Sequence, residues 1–521
     1  MINIIPQSEV RLLKTVLEKD SEHTLTFDSL SEQTTYFLSK VENTFNDFTY
    51  VKEQQAVVVP KNYDEIYTCN YLMYKNTGFN NKYFYAFITK MEFVSENSTR
   101  IYFEIDSLQT WYFQINYKNV FVEREHVSDD IRGKHTIPEN IEHGEYISQF
   151  VTDFSLGTSH IVMASNIDPS LLLPVGGNVY GNIFSGVKYY VFQGVDKLQT
   201  TLVSMASAGK IDAITSIFYC PDFITGYNTI TFDSSGIAEV PNQQGVLTSL
   251  LIPLTPSDID GYTPKNNKCF VYPYVSYVLS NNAGGSIEYK LEDFENSGNN
   301  LGEIKVRGTC TPGASIRAIP VNYKCKHTTL GNVDNNEYGL TAGKYPICSY
   351  PVDSYLNWQT QQSVNMGLEI AQTLIGTTAN LSVGNYAGAT SNALSIGNMI
   401  AEQYKHSLVP VQAKGNLNSG DITYTEGKLT FTGYLMTIKN EYIKVIDDYF
   451  QMYGYKVNEV KIPNIHSRQY FNYVKTIGCN FEGDIPQEDL QKIKDIFNKG
   501  ITFWHNDKYY LDYSVNNVII Q

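Results

Sequence analysis

The side chains best suited to acid–base or metal chemistry are concentrated in one stretch, FVEREHVSDDIRGKH, at positions 121–135. Its acids and imidazoles are Glu123, Glu125, His126, Asp129, Asp130 and His135. Such a mixture could bind a metal ion or act as general acid and base. The alternative is a salt-bridged loop at a subunit contact, with Arg124 and Arg132 as counter-charges. Because Glu139, His143 and Glu145 extend the same acidic surface, we favour the alternative and expect the contact residues to be Glu123, Arg124, Glu125 and His126.

Signatures of other chemistry are missing from the sequence. It contains no GxSxG, HExxH, GxxxxGK[ST] or strand-following GxGxxG motif. The stretch from Asp334 imitates a calcium loop with Gly339 in sixth place, but Tyr345 occupies the twelfth position, which requires a bidentate acid. We therefore predict no catalytic residue, no metal site and no cofactor.

Composition narrows the function classes further. The formal net charge of −15 argues against binding nucleic acid by neutralising phosphates. The nearest approach to a basic aromatic patch spans 455–475, where Glu459 dilutes the cations. Its members are Lys456, Lys461, Arg468, Lys475, Tyr470, Phe471 and Tyr473. The seven cysteines are dispersed without a CxxC pair, which predicts mostly buried free thiols in a reducing compartment. We see neither a secretion signal nor an ordinary transmembrane helix.

The elements that position these residues are mainly strands. Period-two runs such as KYFYAFITKMEFV and TRIYFEIDSLQTWYF fill the first 150 residues, and SGVKYYVFQGV, SIFYCPDFITGYNTITF, KCFVYPYVSYVLS and GSIEYKLEDF continue to about residue 350. Alternation bounded by Asn, Gly and Ser is typical of antiparallel strands. The fold class predicted is mainly β, with several barrel or sandwich domains. Trp111 and Trp504 are expected in the core.

Two short helices are predicted near the C-terminus. EYIKVIDDYFQMYGY carries a stripe of Tyr442, Ile446, Tyr449 and Phe450, and Gly454 ends it. DIPQEDLQKIKDIFNKG has Asp484 and Gln487 at capping-box spacing, a packing face of Leu490, Ile493 and Phe497, and a stop at Gly500.

The segment between these regions has almost no charge. From Ile370 through Ala401 there is no Asp, Glu, Lys or Arg. Apolar residues recur at helical spacing on two arms, with Gly384 and Gly388 as a break between them, which favours a helical hairpin or a loop able to form one. Spacing alone leaves open a permanent hairpin packed on the protein. Trp358, at the entrance, could anchor at a lipid interface.

Longer motifs carry a family resemblance. DSLQTWYFQINYKNVFVEREHV (Asp106–Val127) and the block from Glu441 to Asn506 resemble the tail-knob, or distal tail-tube, proteins of small short-tailed bacteriophages with protein-primed genomes. VRLLK at Val10–Lys14, PENIEHGEY, the uncharged segment and PVQAKGN follow in the matching order. The resemblance covers nearly the whole chain, although residues 155–350 contribute few matches.

The resemblance implies a homohexameric tube in the virion tail, assembled in the host cytoplasm. It implies an N-terminal tube region (1–155), a central knob region (156–350), a low-charge plug or membrane-active loop (351–415) and a C-terminal tube region (416–521). The expected partners are the collar or upper tube, the tail tip, genomic DNA passing without sequence-specific contacts, and the host membrane. The plug residues are Trp358, Leu368, Leu374, Ile375, Leu381, Val383, Tyr386, Leu394, Ile396, Met399 and Ile400.

Two other functions stay open at this point. The Gly- and Tyr-rich region 155–350 could be a module that binds a host wall glycan or receptor without any channel. Glu123, Glu125 or His126 could instead serve a wall-degrading enzyme.

Overall fold

The structure, a computed structural model, describes most of the chain. The described residues are 8–46, 55–155, 159–176, 178–180, 183–210, 213–241, 248–282, 284–294, 300–312, 314–324, 336–344, 347–348 and 430–520. The chain divides into two compact units, each discontinuous in sequence. Unit 1 comprises Met1–Gly144, Gly261–Phe270 and Asn440–Gln521, and unit 2 comprises Glu145–Asp260 and Val271–Lys439. The division into four regions at 155, 350 and 415 stays a prediction.

Unit 1 contains a six-stranded antiparallel sheet with a hydrophobic cluster on each face. In spatial order its strands are β3 (Val41–Asn46), β1 (Ser8–Leu13), β5 (Tyr71–Asn76), β6 (Tyr83–Ser95), β7 (Ser98–Ile105) and β4 (Ala56–Val59). Alternation on β5 sends Leu72 to one cluster and Tyr71 and Met73 to the other. The second cluster also includes Phe471 and Trp504, so the N- and C-terminal segments of the unit share one core.

A second sheet in unit 1 carries the REH motif. Its strands are β2 (His23–Leu25), β26 (Ile501–Trp504), β25 (Phe471–Ile477), β8 (Val120–Glu125) and β24 (Tyr455–Lys461). β2 and β26 pair in parallel, and the other pairings are antiparallel. β8 therefore lies between two strands that follow it by more than 300 positions in sequence.

The described residues of unit 2 form four further groups of strands. In one sheet the spatial order of the strands is β15 (Ile237–Glu239), β13 (Lys188–Phe192), β10 (Ser159–Ser165), β14 (Ile214–Pro221) and β22 (Ile347–Cys348). A separate hairpin pairs β11 (Asn178–Tyr180) with β12 (Ile183–Ser185). Another sheet orders β16 (Thr248–Pro253), β19 (Leu301–Arg307), β20 (Ser315–Val321) and β21 (Leu340–Lys344). The last orders β18 (Ser286–Tyr289), β17 (Val275–Ser280), β23 (Thr430–Ile438) and β9 (Tyr146–Ser155). The prediction of a mainly β fold is confirmed.

Helices interrupt the strand-rich regions. They are α1 (Leu30–Ser39), α2 (Tyr63–Ile66), α3 (Ser107–Trp111), α4 (Val195–Ser207), α5 (Asp222–Thr225), α6 (Asn440–Tyr453) and α7 (Gln487–Lys499). Short 3-10 turns occupy Thr77–Phe79, Tyr112–Gln114, Asn267–Phe270, Leu291–Asp293, Asn336–Tyr338 and Asp507–Tyr509. In the part of the chain described here, no helix combines the length and apolar character needed to cross a membrane.

The reading of TRIYFEIDSLQTWYF as wholly extended was wrong. The strand ends at Ile105 because the Asp106 carboxylate accepts a hydrogen bond from the Gln109 N–H at 3.0 Å and caps α3. SIFYCPDFITGYNTITF likewise turns helical at Asp222. Trp111 was wrongly placed in the core: it is half-buried and donates from Nε1 to Asp489 at 2.9 Å. The core position of Trp504 is confirmed.

The two C-terminal helices are confirmed, with local corrections. In α6 Ile446 and Phe450 are buried, but Tyr442 and Tyr449 lie at the margin, while Ile443, Asp447 and Gln451 are buried beside them. Gly454 ends the helix at φ +63°.

In α7 the predicted packing face of Leu490, Ile493 and Phe497 is buried. The capping box was wrong: Pro486 holds the cap position without a side-chain hydrogen bond, and Asp484 lies before it. Gly500 ends the helix, and its N–H donates to the Ile496 carbonyl.

Cysteine usage agrees with the prediction where the structure describes it. Cys69, Cys220, Cys269, Cys310 and Cys479 are buried and form no disulfide among the described residues. Cys325 lies outside the described residues, and so does the side chain of Cys348.

Candidate functional site

A bulge at Glu123 sorts the side chains of the REH strand β8. Lys475 pairs with Arg124 and Thr476 pairs with Val122, so Glu123 has no partner on β25. The extra residue shifts the alternation of faces, as β-bulges do. Glu123 therefore points to the surface and forms an ion pair with Lys475 at 2.9 Å. Glu125, in contrast, has 0% of its surface exposed.

His126 is held as a neutral hydrogen-bonding bridge. Its Nδ1 accepts from the Tyr473 N–H at 2.7 Å, so Nε2 carries the proton and donates to the Gln451 carbonyl at 3.0 Å. Burial lowers the pKa of His126 to about 3, and the positive charge of Arg468 acts in the same direction. Since both ring nitrogens are engaged and the residue is 2% exposed, the imidazole has neither a free lone pair for a metal nor access to a substrate.

The Glu125 side chain is also buried in the interior. It accepts a hydrogen bond from the Asn464 N–H at 2.9 Å and forms an ion pair with Lys461. Burial raises the pKa of Glu125, and the Lys461 contact opposes the shift. The buried pair Glu125–His126 thus ties β8 to the loop after β24. Of the four residues predicted at a subunit contact, Glu123 and Arg124 retain side-chain surface, at 28% and 11% exposed.

A buried ionic cluster lies on the other flank of Arg124. The Glu139 carboxylate forms ion pairs with Arg124 and with Lys268, the latter at 2.5 Å, and accepts from the Lys456 N–H at 2.9 Å. Glu139 and Lys268 have only 2% of their side-chain surface exposed. Burial lowers the pKa of Lys268, whereas Glu139 raises it. Three segments distant in sequence meet at this one carboxylate, so its role is to position them.

The remaining acids of the motif also hold structure. Asp130 accepts from the Tyr455 hydroxyl at 2.6 Å and from the Asn267 N–H at 3.0 Å. Asp129 pairs with Lys134 and with His135, the latter at 3.1 Å. Among the described residues no group of three or more His, Cys, Asp or Glu side chains is placed to hold a metal ion. The mixture that suggested chemistry in the sequence is dispersed into separate contacts.

Asp447 is a structural centre that the sequence reasoning missed. Its carboxylate, fully buried on α6, accepts from the Tyr262 hydroxyl at 2.8 Å, the Lys265 N–H at 2.8 Å, and the Asn266 N–H and amide at 3.0 and 2.8 Å. The sequence did contain a signal for this role. Asp447 follows Ile443 by four positions, so it lies on the packing face of the helix.

A cleft of about 450 Å³ opens above Arg124. We call it the tyrosine cleft; it is lined by Glu123, Arg124, Glu139, Asn140, Ile141, Tyr449, Tyr453, Lys456, Tyr473 and Lys475. The Tyr453 ring lies edge-on to Tyr473, with the ring centres 5.1 Å apart, and is tilted against Tyr449 at 5.2 Å. The Arg124 guanidinium lies 4.9 Å from the centre of the Tyr449 ring. Tyrosine and arginine together are typical of protein contact surfaces.

Comparison with known proteins identifies the family. Residues 239–518, more than half of the chain, match the family model described as Bacillus phage phi29, Tail knob protein gp9, C-terminal domain. The chain belongs to the tail knob protein gp9 family. Residues 6–117 of this gp9-family chain also match the model of the Caudoviral major tail protein N-terminus. The resemblance found in the sequence is confirmed.

Individual gp9 proteins align with nearly the whole chain. Tail knob protein gp9 of Bacillus phage phi29 is 26% identical and that of Bacillus phage B103 is 25% identical, each covering 98% of this chain and 98% of the relative. The tail knob protein gp12 of bacteriophage C1 shares the fold, with a TM-score of 0.67 at 15% identity over 98% of this chain and 100% of that one. This gp9-family chain is a structural component of a bacteriophage tail.

The predicted plug residues lie outside the described residues. They are Trp358, Leu368, Leu374, Ile375, Leu381, Val383, Tyr386, Leu394, Ile396, Met399 and Ile400. Asp334 and Tyr345 of the imitated calcium loop lie outside them as well.

Proposed function

We propose that this gp9-family chain forms a homohexameric distal tail tube through which the genome leaves the capsid. In this proposal residues 351–415 plug the lumen and, once released, act on the host membrane. Its other partners are the collar or upper tube, the tail tip, and DNA that passes without sequence-specific contacts. The role is structural, with assembly in the host cytoplasm before the chain takes its place in the virion tail.

The observation that carries the proposal is the uncharged run from Ile370 through Ala401 in a chain of net charge −15. Six copies of such a segment can crowd along an axis because no ionised group has to leave water. After release, the same segments meet a lipid interface without the cost that Asp, Lys or Arg would add. Each arm is weakly apolar, so we infer that several copies insert together.

Features of the described residues support a structural role. Of the three residues that the enzymatic alternative would use, Glu125 and His126 are buried and held by hydrogen bonds, and Glu123 is paired with Lys475. The acidic balance of the chain suits a wall that must not retain DNA. The free buried thiols suit assembly in a reducing compartment.

The tube is tested by imaging the purified full-length protein and counting subunits around an axial hole. Six subunits are expected, and a monomer would end the proposal. Deleting residues 360–405 should leave this assembly intact and abolish dye leakage from liposomes. If the deleted variant is instead a monomer, the segment is a permanent structural element of the assembly. Isolated residues 155–350 should not bind host envelopes, whereas strong binding would favour the receptor module.

A sharper test separates charge from polarity. Leu374→Asp with Ile375→Asp places two ionised groups in the segment, and the matched control Leu374→Asn with Ile375→Asn has the same shape without charge. An unpaired carboxylate costs several kcal/mol to bury, so the Asp pair should release less dye than the Asn pair above pH 6. Equal leakage by the two variants would contradict the charge argument.

A further inference from the structure

The sheet carrying β8 presents an apolar row on its outer surface. Phe121 on β8 pairs directly with Val460 on β24 and with Ile477 on β25. Residues opposite each other on antiparallel strands project from the same face. Their exposed fractions are 36%, 68% and 54%. Three neighbouring strands therefore expose a continuous apolar row, which singly scattered surface residues do not form.

The tyrosine cleft continues this row on the same face. Arg124 pairs with Lys456 on one side and with Lys475 on the other, and it shares the face of Phe121 because of the bulge at Glu123. Lys475 and Ile477, their partners on β25, are two residues apart, so the two levels are separated by about 7 Å. We call the surface formed by the apolar row and the cleft the outer face.

One cation in the cleft stands out. The carboxylates of Glu123 and Glu139 are occupied by Lys475, Arg124 and Lys268. Within the described residues, the Lys456 ammonium has no carboxylate at ion-pair distance, although its side chain lines the cleft. A chain of net charge −15 offers many acidic surfaces, so the outer face is complementary in charge to another copy of itself.

The same unit carries a matching projection. β6 and β7 form a long hairpin whose two-residue turn contains Glu96. Phe93 and Val94, just before the turn, are 59% and 47% exposed. Glu96 is exposed and has no ion pair among the described residues. We call Phe93, Val94 and Glu96 the hairpin tip. Its apolar pair matches the apolar row of the outer face, and the acid that follows matches the cationic cleft beside that row.

We propose that the hairpin tip of one copy docks on the outer face of the next copy. Phe93 and Val94 cover the apolar row, and Glu96 pairs with Lys456. The two surfaces differ from each other, so the contact is heterologous, as a closed ring requires. The inference rests on the proposed tube, and it names the surfaces by which the subunits meet.

Charge reversal tests the contact in the full-length protein. Lys456→Glu and Glu96→Lys should each lower the association constant about tenfold, and the double variant should recover it. Val460→Asp should also weaken assembly. Val445→Asp is the matched control, because Val445 is equally exposed at 68% on α6 of the same unit. Association is measured by sedimentation, and the melting temperature of each subunit checks its fold.

Cysteine pairs give an independent test. Val94→Cys with Val460→Cys should cross-link on oxidation into a ladder of species up to the size of the ring, beyond the baseline of the wild-type chain. Either single variant should give no ladder. A dimer from Val460→Cys alone would show two outer faces in contact and would overturn the inference.

The results distinguish this inference from the proposed function. A ring that forms equally well with Val460→Asp and with Val445→Asp overturns the docking while the tube stands. A wild-type protein that never forms a ring overturns both.

Discussion

Removal of the Asp447 carboxylate is expected to loosen a specific segment of unit 1. The substitution Asp447→Ala deletes the acceptor of four hydrogen bonds that hold Tyr262, Lys265 and Asn266 against α6. The Tyr262 hydroxyl and the Lys265 N–H have access to water, which can accept their hydrogen bonds in place of the carboxylate. Asn266 is 3% exposed, so its backbone N–H is left buried and unsatisfied, and its side-chain amide keeps only the hydrogen bond to the backbone carbonyl of residue 447 at 3.1 Å.

The magnitude follows from those buried donors. An unsatisfied buried group costs about 1–3 kcal/mol, so the unsatisfied N–H of Asn266, together with the side-chain hydrogen bond that it loses, should weaken the segment by about 3 kcal/mol. That energy corresponds to roughly a hundredfold increase in the local opening constant. Asp448→Ala is the matched control, since Asp448 is the next residue of the same helix and is exposed.

Hydrogen exchange measured by mass spectrometry is the suitable assay. Protection of peptides covering 261–270 should fall by about two orders of magnitude in Asp447→Ala and stay unchanged in Asp448→Ala. Global melting alone is insufficient, because a two-unit chain need not unfold in one step. Unchanged protection of this segment in Asp447→Ala would refute the view that the carboxylate anchors it.

Three further predictions concern the same unit. Burial lowers the pKa of His126 from 6.5 to about 3, so in this pH range the unfolded chain binds a proton that the folded chain does not. Stability should therefore fall by up to about 1.4 kcal/mol per pH unit as the pH drops from 6.5 to 3. This slope of stability against pH should be lost in His126→Gln, and an unchanged slope would contradict the assignment. Gly454 and Gly478 have φ of +63° and +64°, but a Cβ on Gly454 would lie 2.2 Å from a backbone carbonyl oxygen, whereas a Cβ on Gly478 meets nothing within 4 Å. Hydrogen exchange in unit 1 should therefore show a loss of stability of about 3 kcal/mol for Gly454→Ala and about 1 kcal/mol for Gly478→Ala, and equal losses would argue against the close contact. Glu139→Gln leaves Arg124 and Lys268 without their carboxylate and should lower the stability of unit 1, measured by hydrogen exchange, by about 3–5 kcal/mol. Lys268→Met should cost less because Glu139 keeps Arg124 as a partner, and the reverse order would contradict the cluster.

Local pattern was sufficient to predict most elements but not their breaks. Alternation identified β6, and the spacing of Leu490, Ile493 and Phe497 identified α7. α1 was missed although Ser29 and Glu32 stand at capping-box spacing and the Ser29 hydroxyl accepts from the Glu32 N–H. α4 was missed although Leu198, Leu202 and Met205 are buried at helical spacing. In these cases a polar cap or a helical period was outweighed by the strand-like composition around it.

The candidate site was less predictable because its parts are distant in sequence. The chemistry of 121–135 indicated a charged contact, but the bulge that exposes Glu123 and buries Glu125 depends on the pairing of β8 with β25. The tyrosine cleft combines Arg124, Tyr449 and Tyr473, which no local pattern connects. Long-range pairing of strands, rather than any motif, creates this surface.

The treatment of charge inside unit 1 gives a physical reason for the composition of 370–401. Two carboxylates buried in unit 1 have fixed partners: Glu139 has Arg124 and Lys268, and Asp447 accepts hydrogen bonds from Tyr262, Lys265 and Asn266. Such partners belong to other segments, so a buried charge binds its own segment permanently to them. If a segment with such a charge were buried at one stage and released at another, its partners would stay behind. Both the charge on the segment and the charges of its former partners would then be unpaired. Under the proposed function, the lack of Asp, Glu, Lys and Arg from 370 to 401 is therefore what permits the segment to be buried and later released. One Asp or Lys within it should impair release or membrane action before it impairs folding.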